Sequence, residues 1–145
     1  MPDLTDSPIG WVARHIRRYV TSGGRSGHRF SGRPTLLITT RGRRSGKLRR
    51  TALYYARDGH RYLVVASGGE PTHPAWYLNL LADPLVVLQV GPDTFPARAR
   101  TATDSERPAL WSRMTALFPK YTDYQAKTTR QIPIVILDPI PEPPT

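Results

Sequence analysis

The chain has 145 residues, a formal net charge of +10, 39% hydrophobic residues and no cysteine. This length is most simply one domain with a sizeable core, and the hydrophobic content excludes a disordered chain. The lack of cysteine excludes disulfides, thiolate metal sites and thiol catalysis. No apolar run approaches the roughly 20 residues of a membrane span, and the N-terminus lacks the apolar core of a secretory signal. A cytoplasmic protein is therefore expected, with contact to a membrane surface left open.

The positive charge is concentrated near the N-terminus. Between Ser7 and Arg57 there is no Asp or Glu, yet thirteen of the 21 Lys and Arg residues lie there. The residues after Arg57 carry eight basic and nine acidic side chains. The partner of the N-terminal third should therefore be anionic: a phosphate-bearing cofactor, anionic lipid or nucleic acid.

The first third of the chain predicts a leader, a helix and a connector. Residues 1–8 are expected to be a frayed leader. Apolar residues then recur at helical spacing, with basic residues on the opposite face. The apolar set is Ile9, Val12, Ala13, Ile16, Tyr19 and Val20, and the polar set is Arg14, His15, Arg17 and Arg18. Such a helix either lies on an anionic membrane or packs on its own domain, and the second is commoner. Residues 21–34, with four glycines, are expected to be a flexible connector.

The stretch Arg41–Arg50 (RGRRSGKLRR) lies between two apolar runs that are typical of strands, and six of its ten residues are Arg or Lys. Its glycines permit tight bends with outward-pointing amides, Ser45 adds a hydroxyl, and the arginines offer forked donors. This pattern predicts a turn that holds an anion. A solvated hairpin tip and a nucleic-acid-binding loop share the same composition and stay open as alternatives.

The rest of the chain predicts a mainly β (α+β) protein. With the strand at residues 35–40, hairpin signals and apolar runs predict six strands. The other five are Arg50–Arg57, His60–Ser67, Leu85–Val90, Phe95–Thr103 and Ile132–Leu137. One helix should run from about His73 to Leu81, and a capping box at residues 103–106 should open another that reaches about Phe118. Residues 121–128 are a loop or short helix. Strands joined largely by hairpins suggest a small antiparallel barrel.

The residue types exclude several active sites. The four histidines share no metal-ligand spacing, so no metal is expected, and neither GxSxG nor GxGxxG occurs. The basic loop, the Ser67-Gly68-Gly69 turn and nearby aromatics suit a flat, phosphate-bearing cofactor. From the residues alone, ordinary core and surface roles for these aromatics are favoured.

Several motifs, taken in chain order, resemble the deazaflavin-dependent nitroreductase family. They are TTRGRRSG at residues 39–46, ASGG at 66–69, HPAWYLNL at 73–80, ADP at 82–84, FPKYTDYQ at 118–125 and IPIV at 132–135. The resemblance covers residues 34–139 and implies an actinobacterial enzyme that uses coenzyme F420. The implied fold is a split antiparallel β-barrel with an N-terminal helix and two or three further helices. The implied organisation of the chain is an N-terminal helix and connector at residues 1–33, the barrel domain at residues 34–139 and a Pro-rich tail at residues 140–145.

The resemblance also implies roles for individual residues. The basic loop would hold the phosphate and acidic tail of F420 through Arg41, Arg43, Arg44, Ser45, Gly46, Lys47 and Arg49. The edge of the deazaflavin would be lined by Ala66, Ser67 and Gly68, and its ring would be walled by Trp76. The substrate would face Tyr54, Tyr121 and Tyr124. The candidate catalytic hydroxyls are those of Tyr121, Tyr124 and Ser67.

The implied reaction transfers a hydride from reduced F420 to an electron-poor small molecule: a quinone, nitroaromatic or activated enone. Two alternatives belong to other classes, an F420 carrier without turnover and a basic barrel that binds single-stranded nucleic acid. Since the aromatics lie mostly outside the basic third, no nucleic-acid partner is expected. A monomer or homodimer is expected, and the N-terminal helix is a candidate for peripheral membrane contact on the cytoplasmic face.

Overall fold

A computed structural model describes residues 4–8, 10–66 and 72–141 of the chain. The helices in this part are α1 (Gly10–Thr21), α2 (Ala75–Ala82), α3 (Arg107–Leu117) and α4 (Lys120–Ala126). The strands are β1 (Leu4–Asp6), β2 (Arg29–Phe30), β3 (Arg33–Arg41), β4 (Leu48–Tyr54), β5 (Ala56–Asp58), β6 (Arg61–Val65), β7 (Leu85–Val90), β8 (Asp93–Thr101) and β9 (Ile134–Pro139).

The strands form a mostly antiparallel sheet that closes on itself. Its order is β1-β4-β3-β7-β8-β9-β6-β5, and β2 pairs with β3. Strands β4 and β5 lie near opposite ends of this order, yet only Tyr55 separates them in the chain. The sheet must therefore curl until these two strands meet, which makes a barrel. The predicted split antiparallel barrel with an N-terminal helix and two or three further helices is confirmed, and the described residues contain three further helices.

The predicted strand Arg50–Arg57 is wrong as a single element, because Tyr55 divides it. Strand β4 pairs with β3, whereas β5 pairs with β6. The side chain of Tyr55 is buried in the barrel core, and its N–H donates to the carbonyl of Pro34 at 3.2 Å. This residue therefore carries the chain from one half of the barrel to the other.

Side chains of alternating strand positions build two cores. The interior of the barrel is filled from β3, β6, β7, β8 and β9, and α2 packs Tyr77 and Leu80 into it. On the outer face, Leu63, Ile134 and Ile136 pack against α3 and α4. Strand β9 is thus buried on both faces, which explains its continuous apolar run. The segment 121–128, predicted to be a loop or short helix, largely coincides with helix α4.

Helix α1 packs its apolar face on the barrel, as favoured above. Val12, Ile16 and Tyr19 form a core cluster with Leu37 of β3. The Tyr19 hydroxyl donates to the carbonyls of Thr35 and Gln89 at 3.0 and 3.3 Å. The connector after α1 contains hydrogen-bonded turns and the short strand β2, so its description as a flexible linker is wrong.

The frayed leader expected at residues 1–8 is also wrong for its described part. Strand β1 pairs in parallel with β4, with Leu4 opposite Leu48 and Asp6 opposite Arg50. The N–H of Ser7 extends this pairing by donating to the carbonyl of Arg50 at 2.9 Å. A three-residue strand has no periodicity that a sequence pattern could show.

Candidate functional site

The basic loop is a compact turn between β3 and β4. The N–H of Gly42 donates to the carbonyl of Lys47 at 2.7 Å, and that of Gly46 donates to the carbonyl of Gly42 at 2.8 Å. The N–H of Lys47 donates to Ser45 Oγ at 3.1 Å. Gly46 has a φ of 73°, which favours glycine. These three amides are therefore used inside the loop, so the expectation of outward-pointing glycine amides is wrong. The exposed basic side chains carry the charge of the loop instead.

Asn79 of α2 anchors this loop to the barrel. Its Oδ1 accepts from the backbone N–H and from Nη1 of Arg43 at 3.2 and 3.0 Å, and its Nδ2 donates to Thr40 Oγ1 at 3.3 Å. Asn79 is buried, so its amide needs such partners. Asn79 was not among the site residues predicted from the sequence. The available signal was one amide three positions after Trp76 in an otherwise apolar helix.

The loop lines a groove of about 790 Å³, named here the basic groove. It is lined by residues 5–8, Gly42, Arg43, Arg44, Ser45, Arg49, Arg50, Thr51, Pro74, Ala75, Trp76 and Asn79. Of the seven loop residues predicted to hold the cofactor, three lie outside this lining: Arg41, Gly46 and Lys47. The Nη1 of Arg41 donates to the carbonyl of Gly46 at 3.0 Å, and its Nε lies 3.7 Å from Asp83.

A second cavity of about 360 Å³, the aromatic cavity, shares Pro74 and Trp76 with the basic groove. Its other lining residues are Trp11, His15, Phe30, Thr35, Ala52, Leu53, Tyr54, Val65, Phe118, Tyr121 and Tyr124. The structure thus brings together Trp76, Tyr54, Tyr121 and Tyr124, the four aromatic residues to which the family resemblance gave roles at the deazaflavin ring and the substrate. Ala66 follows the lining residue Val65 and is buried. Ser67 and Gly68 lie outside the described residues.

Phe118 organises the tyrosines of the aromatic cavity. Its ring centroid lies 5.1 Å from that of Tyr54, 4.9 Å from that of Tyr121 and 6.0 Å from that of Tyr124. The guanidinium of Arg33 lies 4.9 Å from the centre of the Phe118 ring, close enough for a cation–π contact. The three hydroxyl-bearing rings are therefore held by packing on one central ring.

Tyr121 is suited to donate a hydrogen bond into the cavity. Burial, with smaller effects from Tyr54 and Tyr124, raises the pKa of Tyr121, so its hydroxyl stays protonated at neutral pH. Within the described part of the chain, this hydroxyl forms no hydrogen bond to a protein group. The described residues therefore leave its proton available for a bound molecule.

His15 and Thr35 form a polar end to the aromatic cavity. The Oγ1 of Thr35 donates to the carbonyl of Gly27 at 2.5 Å, so it accepts from His15 Nε2 at 3.2 Å. This assigns the proton of the imidazole to Nε2. Burial, followed by the charge of Arg18, lowers the pKa of His15, which is therefore neutral at pH 7. The helical pattern placed His15 on the basic face, but it is buried.

The described residues include neither a metal-binding cluster nor a membrane-spanning helix. No group of three or more His, Cys, Asp or Glu among them could hold a metal ion. No helix in the described ranges is long and apolar enough to cross a membrane.

A split barrel in which an arginine-lined groove opens beside an aromatic cavity defines a class of protein, the flavin- and deazaflavin-binding oxidoreductases. The profile of the F420H(2)-dependent quinone reductase family matches residues 11–139 of the chain. The chain belongs to this family.

Individual relatives agree with this assignment. The chain is 40% identical over 141 residues to an F420H(2)-dependent quinone reductase of Mycobacterium tuberculosis. The aligned region covers 88% of this chain and 95% of the relative. A solved structure described as an F420-H2 dependent reductase superposes with a TM-score of 0.68 at 41% identity, covering 73% of this chain and 95% of that one. Another solved structure, described as a domain-swapped dimer, superposes with a TM-score of 0.70 at 37% identity, covering 91% of this chain and 100% of that one. The predicted oxidoreductase class and the cofactor F420 are confirmed.

Proposed function

We propose that the protein passes a hydride from F420H2 to a quinone, with the acidic arm of the cofactor in the basic groove and the quinone in the aromatic cavity. The observation that carries this proposal is that the groove and the cavity share Pro74 and Trp76. A ligand whose anionic arm lies in the groove therefore reaches the cavity at the indole of Trp76.

The groove fits an anionic arm. Four arginines line it: Arg43, Arg44, Arg49 and Arg50. Guanidinium groups bind phosphate and carboxylate oxygens through forked, charge-assisted hydrogen bonds. Since Asn79 already holds Arg43, little side-chain freedom of that residue would be lost on binding. Arg41 and Lys47, outside the lining, would act only through longer-range charge.

The cavity fits a flat acceptor. Aromatic rings from α1, β2, β4, α2 and the α3–α4 region line it, and rings of this kind stack on planar conjugated molecules. A quinone is planar and largely apolar, with carbonyl oxygens that need a few hydrogen-bond donors. The Tyr121 hydroxyl is such a donor, and Tyr124 lies beside it with ring centroids 6.1 Å apart.

The cofactor supplies a hydride when bound, and the residues of the chain do the rest. The ring walls keep water from the acceptor and hold it in one orientation. The acceptor oxygen gains negative charge as the hydride arrives, and the Tyr121 hydroxyl can stabilise this charge or deliver its proton. His15 is neutral and its Nε2 proton points to Thr35, so it serves as a positioning group.

A titration tests the cofactor half of the proposal. We expect F420 to bind far more tightly than FMN or FAD, because the acid-free basic region matches the longer acidic tail. Changing Trp76 to Ala should weaken F420 binding without unfolding the protein, since Trp76 is only partly buried. Tight FMN binding with no detectable F420 binding would refute the proposal.

We further propose that α1 contacts an anionic membrane surface at the mouth of the aromatic cavity. Trp11 and Phe30 are 56% and 39% exposed, and their rings stack at 5.6 Å. Arg14, Arg17 and Arg18 are exposed on the same helix. This combination supports binding to a surface from which a dissolved quinone could enter. Co-sedimentation with anionic vesicles should fall on changing Trp11 and Phe30 to Ala, and unchanged sedimentation would contradict it. A cytoplasmic location stays a prediction.

We also propose a homodimer, supported by the similar structure described as a domain-swapped dimer. Light scattering during size-exclusion chromatography should give twice the mass of one chain. A monomer at all concentrations would contradict the proposal.

A further inference from the structure

We propose that Asp6 is a specificity determinant of the basic groove: its carboxylate occupies Arg50 and so limits how tightly the groove holds a polyanionic ligand. The identity of the ligand as F420 rests on the proposed function, whereas the contact itself does not. Asp6 belongs to a segment that the sequence pattern predicts only as a leader.

The contact between Asp6 and Arg50 is a two-point pair inside the groove. Oδ1 of Asp6 accepts from Nε of Arg50 at 2.6 Å, and Oδ2 accepts from Nη2 at 3.2 Å. The side chains of Arg50 and Asp6 are 20% and 34% exposed, so the pair is partly shielded from solvent. A carboxylate or phosphate of a ligand would bind a guanidinium through the same forked geometry. Asp6 therefore fills the place that a ligand anion would take on Arg50.

The other arginines of the groove are held differently. Arg43 meets the neutral amide oxygen of Asn79. Neither Arg44 nor Arg49 has an acidic partner among the described residues. Of the described residues that line the groove, Asp6 is the one with a carboxylate. Strand β1 thus brings a negative charge into the basic groove, whose other charged lining residues, among those described, are all arginines.

The backbone of β1 holds Asp6 at this place independently of its charge. Asp6 is opposite Arg50 in the parallel ladder with β4, and the N–H of Ser7 donates to the carbonyl of Arg50. Changing Asp6 to Asn keeps the shape and these backbone contacts. It removes the repulsion of an incoming anion and frees the Arg50 guanidinium for the ligand. The change should therefore tighten binding of polyanions, whereas loss of a merely structural ion pair would weaken it or leave it unchanged.

The test compares dissociation constants of D6N and the parent protein at low salt for three probes. They are F420, a deazaflavin nucleoside without phosphate or acidic tail, and a short oligoglutamate peptide. We expect D6N to bind F420 and the peptide about three- to tenfold more tightly and the nucleoside with unchanged affinity, as a partly exposed charge interaction permits. High salt should shrink the difference.

The matched control is D58N. Asp58 pairs with Arg61 at 2.5 Å, with side chains of similar exposure, but neither residue lines the groove. This variant loses the same charge and a similar ion pair, so it should bind all three probes like the parent. If D58N tightens binding as much as D6N does, a general change in net charge is responsible and the inference is overturned.

Two further results would overturn the role of Asp6. One is unchanged or weaker binding of F420 and peptide by D6N. The other is an equal gain in affinity of D6N for the deazaflavin nucleoside without the acidic tail, which would show that Asp6 affects binding of the deazaflavin ring. If the parent protein binds no F420 at all, the proposed function fails instead, and the oligoglutamate arm still decides whether Asp6 competes for Arg50.

Discussion

At the scale of single residues, changing Tyr121 should affect the rate of turnover without affecting the binding of the cofactor. Tyr121 lines the aromatic cavity, its hydroxyl is protonated, and that hydroxyl is bonded to no described protein group. Changing Tyr121 to Phe keeps the ring against Phe118 and removes the donor. We expect the rate of quinone reduction to fall by about 10²-fold, the lower end for a general acid, with an unchanged F420 dissociation constant. Steady-state rates and a fluorescence titration measure the two quantities.

The Tyr124→Phe variant and the double variant complete this comparison. If Tyr124 shares the role of Tyr121, each single variant should lower the rate of quinone reduction less than the double variant does. Parent rates in both single variants and the double variant would show that neither hydroxyl takes part.

Arg44 and Arg41 form a matched pair within one loop. Arg44 lines the basic groove, whereas Arg41 lies outside that lining near Asp83. Changing Arg44 to Ala should weaken F420 binding by about 1.5–3 kcal/mol, the usual contribution of a hydrogen bond to a charged group. Changing Arg41 to Ala removes the same charge and should have a clearly smaller effect. Equal losses would show that the loop acts through net charge alone.

His15 makes the stability depend on pH. Its pKa is lowered in the folded state, mainly by burial, so the unfolded chain binds the proton more tightly. The free energy of unfolding should therefore be highest above the ordinary pKa of about 6.5 and fall as pH drops below that value. His73 has a pKa lowered by burial and by Arg130 and should contribute in the same direction.

The variant His15→Gln keeps a donor that can reach Thr35 and does not titrate. We expect its unfolding free energy to vary less with pH than that of the parent between pH 5 and pH 8, as measured by urea denaturation. Identical pH dependence in both proteins would assign the effect to other groups.

At the scale of elements, Tyr19 attaches α1 to the barrel. Its hydroxyl donates to the carbonyls of Thr35 and Gln89 and accepts from the N–H of Gly91 at 2.6 Å. Burial raises the pKa of Tyr19 to about 12, so the phenol stays neutral. Changing Tyr19 to Phe leaves buried backbone groups without a partner and should lower the unfolding free energy by about 1–3 kcal/mol.

Chemical denaturation measures this change, and Tyr124→Phe is the control because its hydroxyl bonds to no described protein group. A Tyr19→Phe variant as stable as the control would mean that α1 is held by its apolar contacts alone.

Elements whose signals lie within a few residues were predictable. The capping box is present, since the N–H of Thr103 donates to Glu106 Oε1 at 2.9 Å and the N–H of Glu106 donates to Thr103 Oγ1 at 3.3 Å. Strand β1 was not predictable, because it depends on pairing with β4 more than forty residues away. The division at Tyr55 was missed for a related reason: local hydrophobicity does not show when a strand changes its partner.

At the scale of the whole molecule, the motifs indicated which residues meet but not how each is held. Trp76, Tyr54, Tyr121 and Tyr124 come from separate segments and line one cavity, as the family resemblance implied. The clamp by Asn79 and the pair between Asp6 and Arg50 are contacts between distant residues, set by closure of the barrel. No local pattern carries that information, so these contacts required the structure.

Hydride transfer from F420H2 to a quinone is tested most directly by the anaerobic reoxidation of F420H2. F420H2 and menadione are mixed with and without the protein, and the return of the oxidised deazaflavin is followed by absorbance. We expect a rate proportional to protein concentration that saturates with menadione and falls in Tyr121→Phe. Tight F420 binding with no rate above that of the protein-free mixture, for menadione and for nitroaromatic or enone acceptors, would contradict the claim and indicate a carrier.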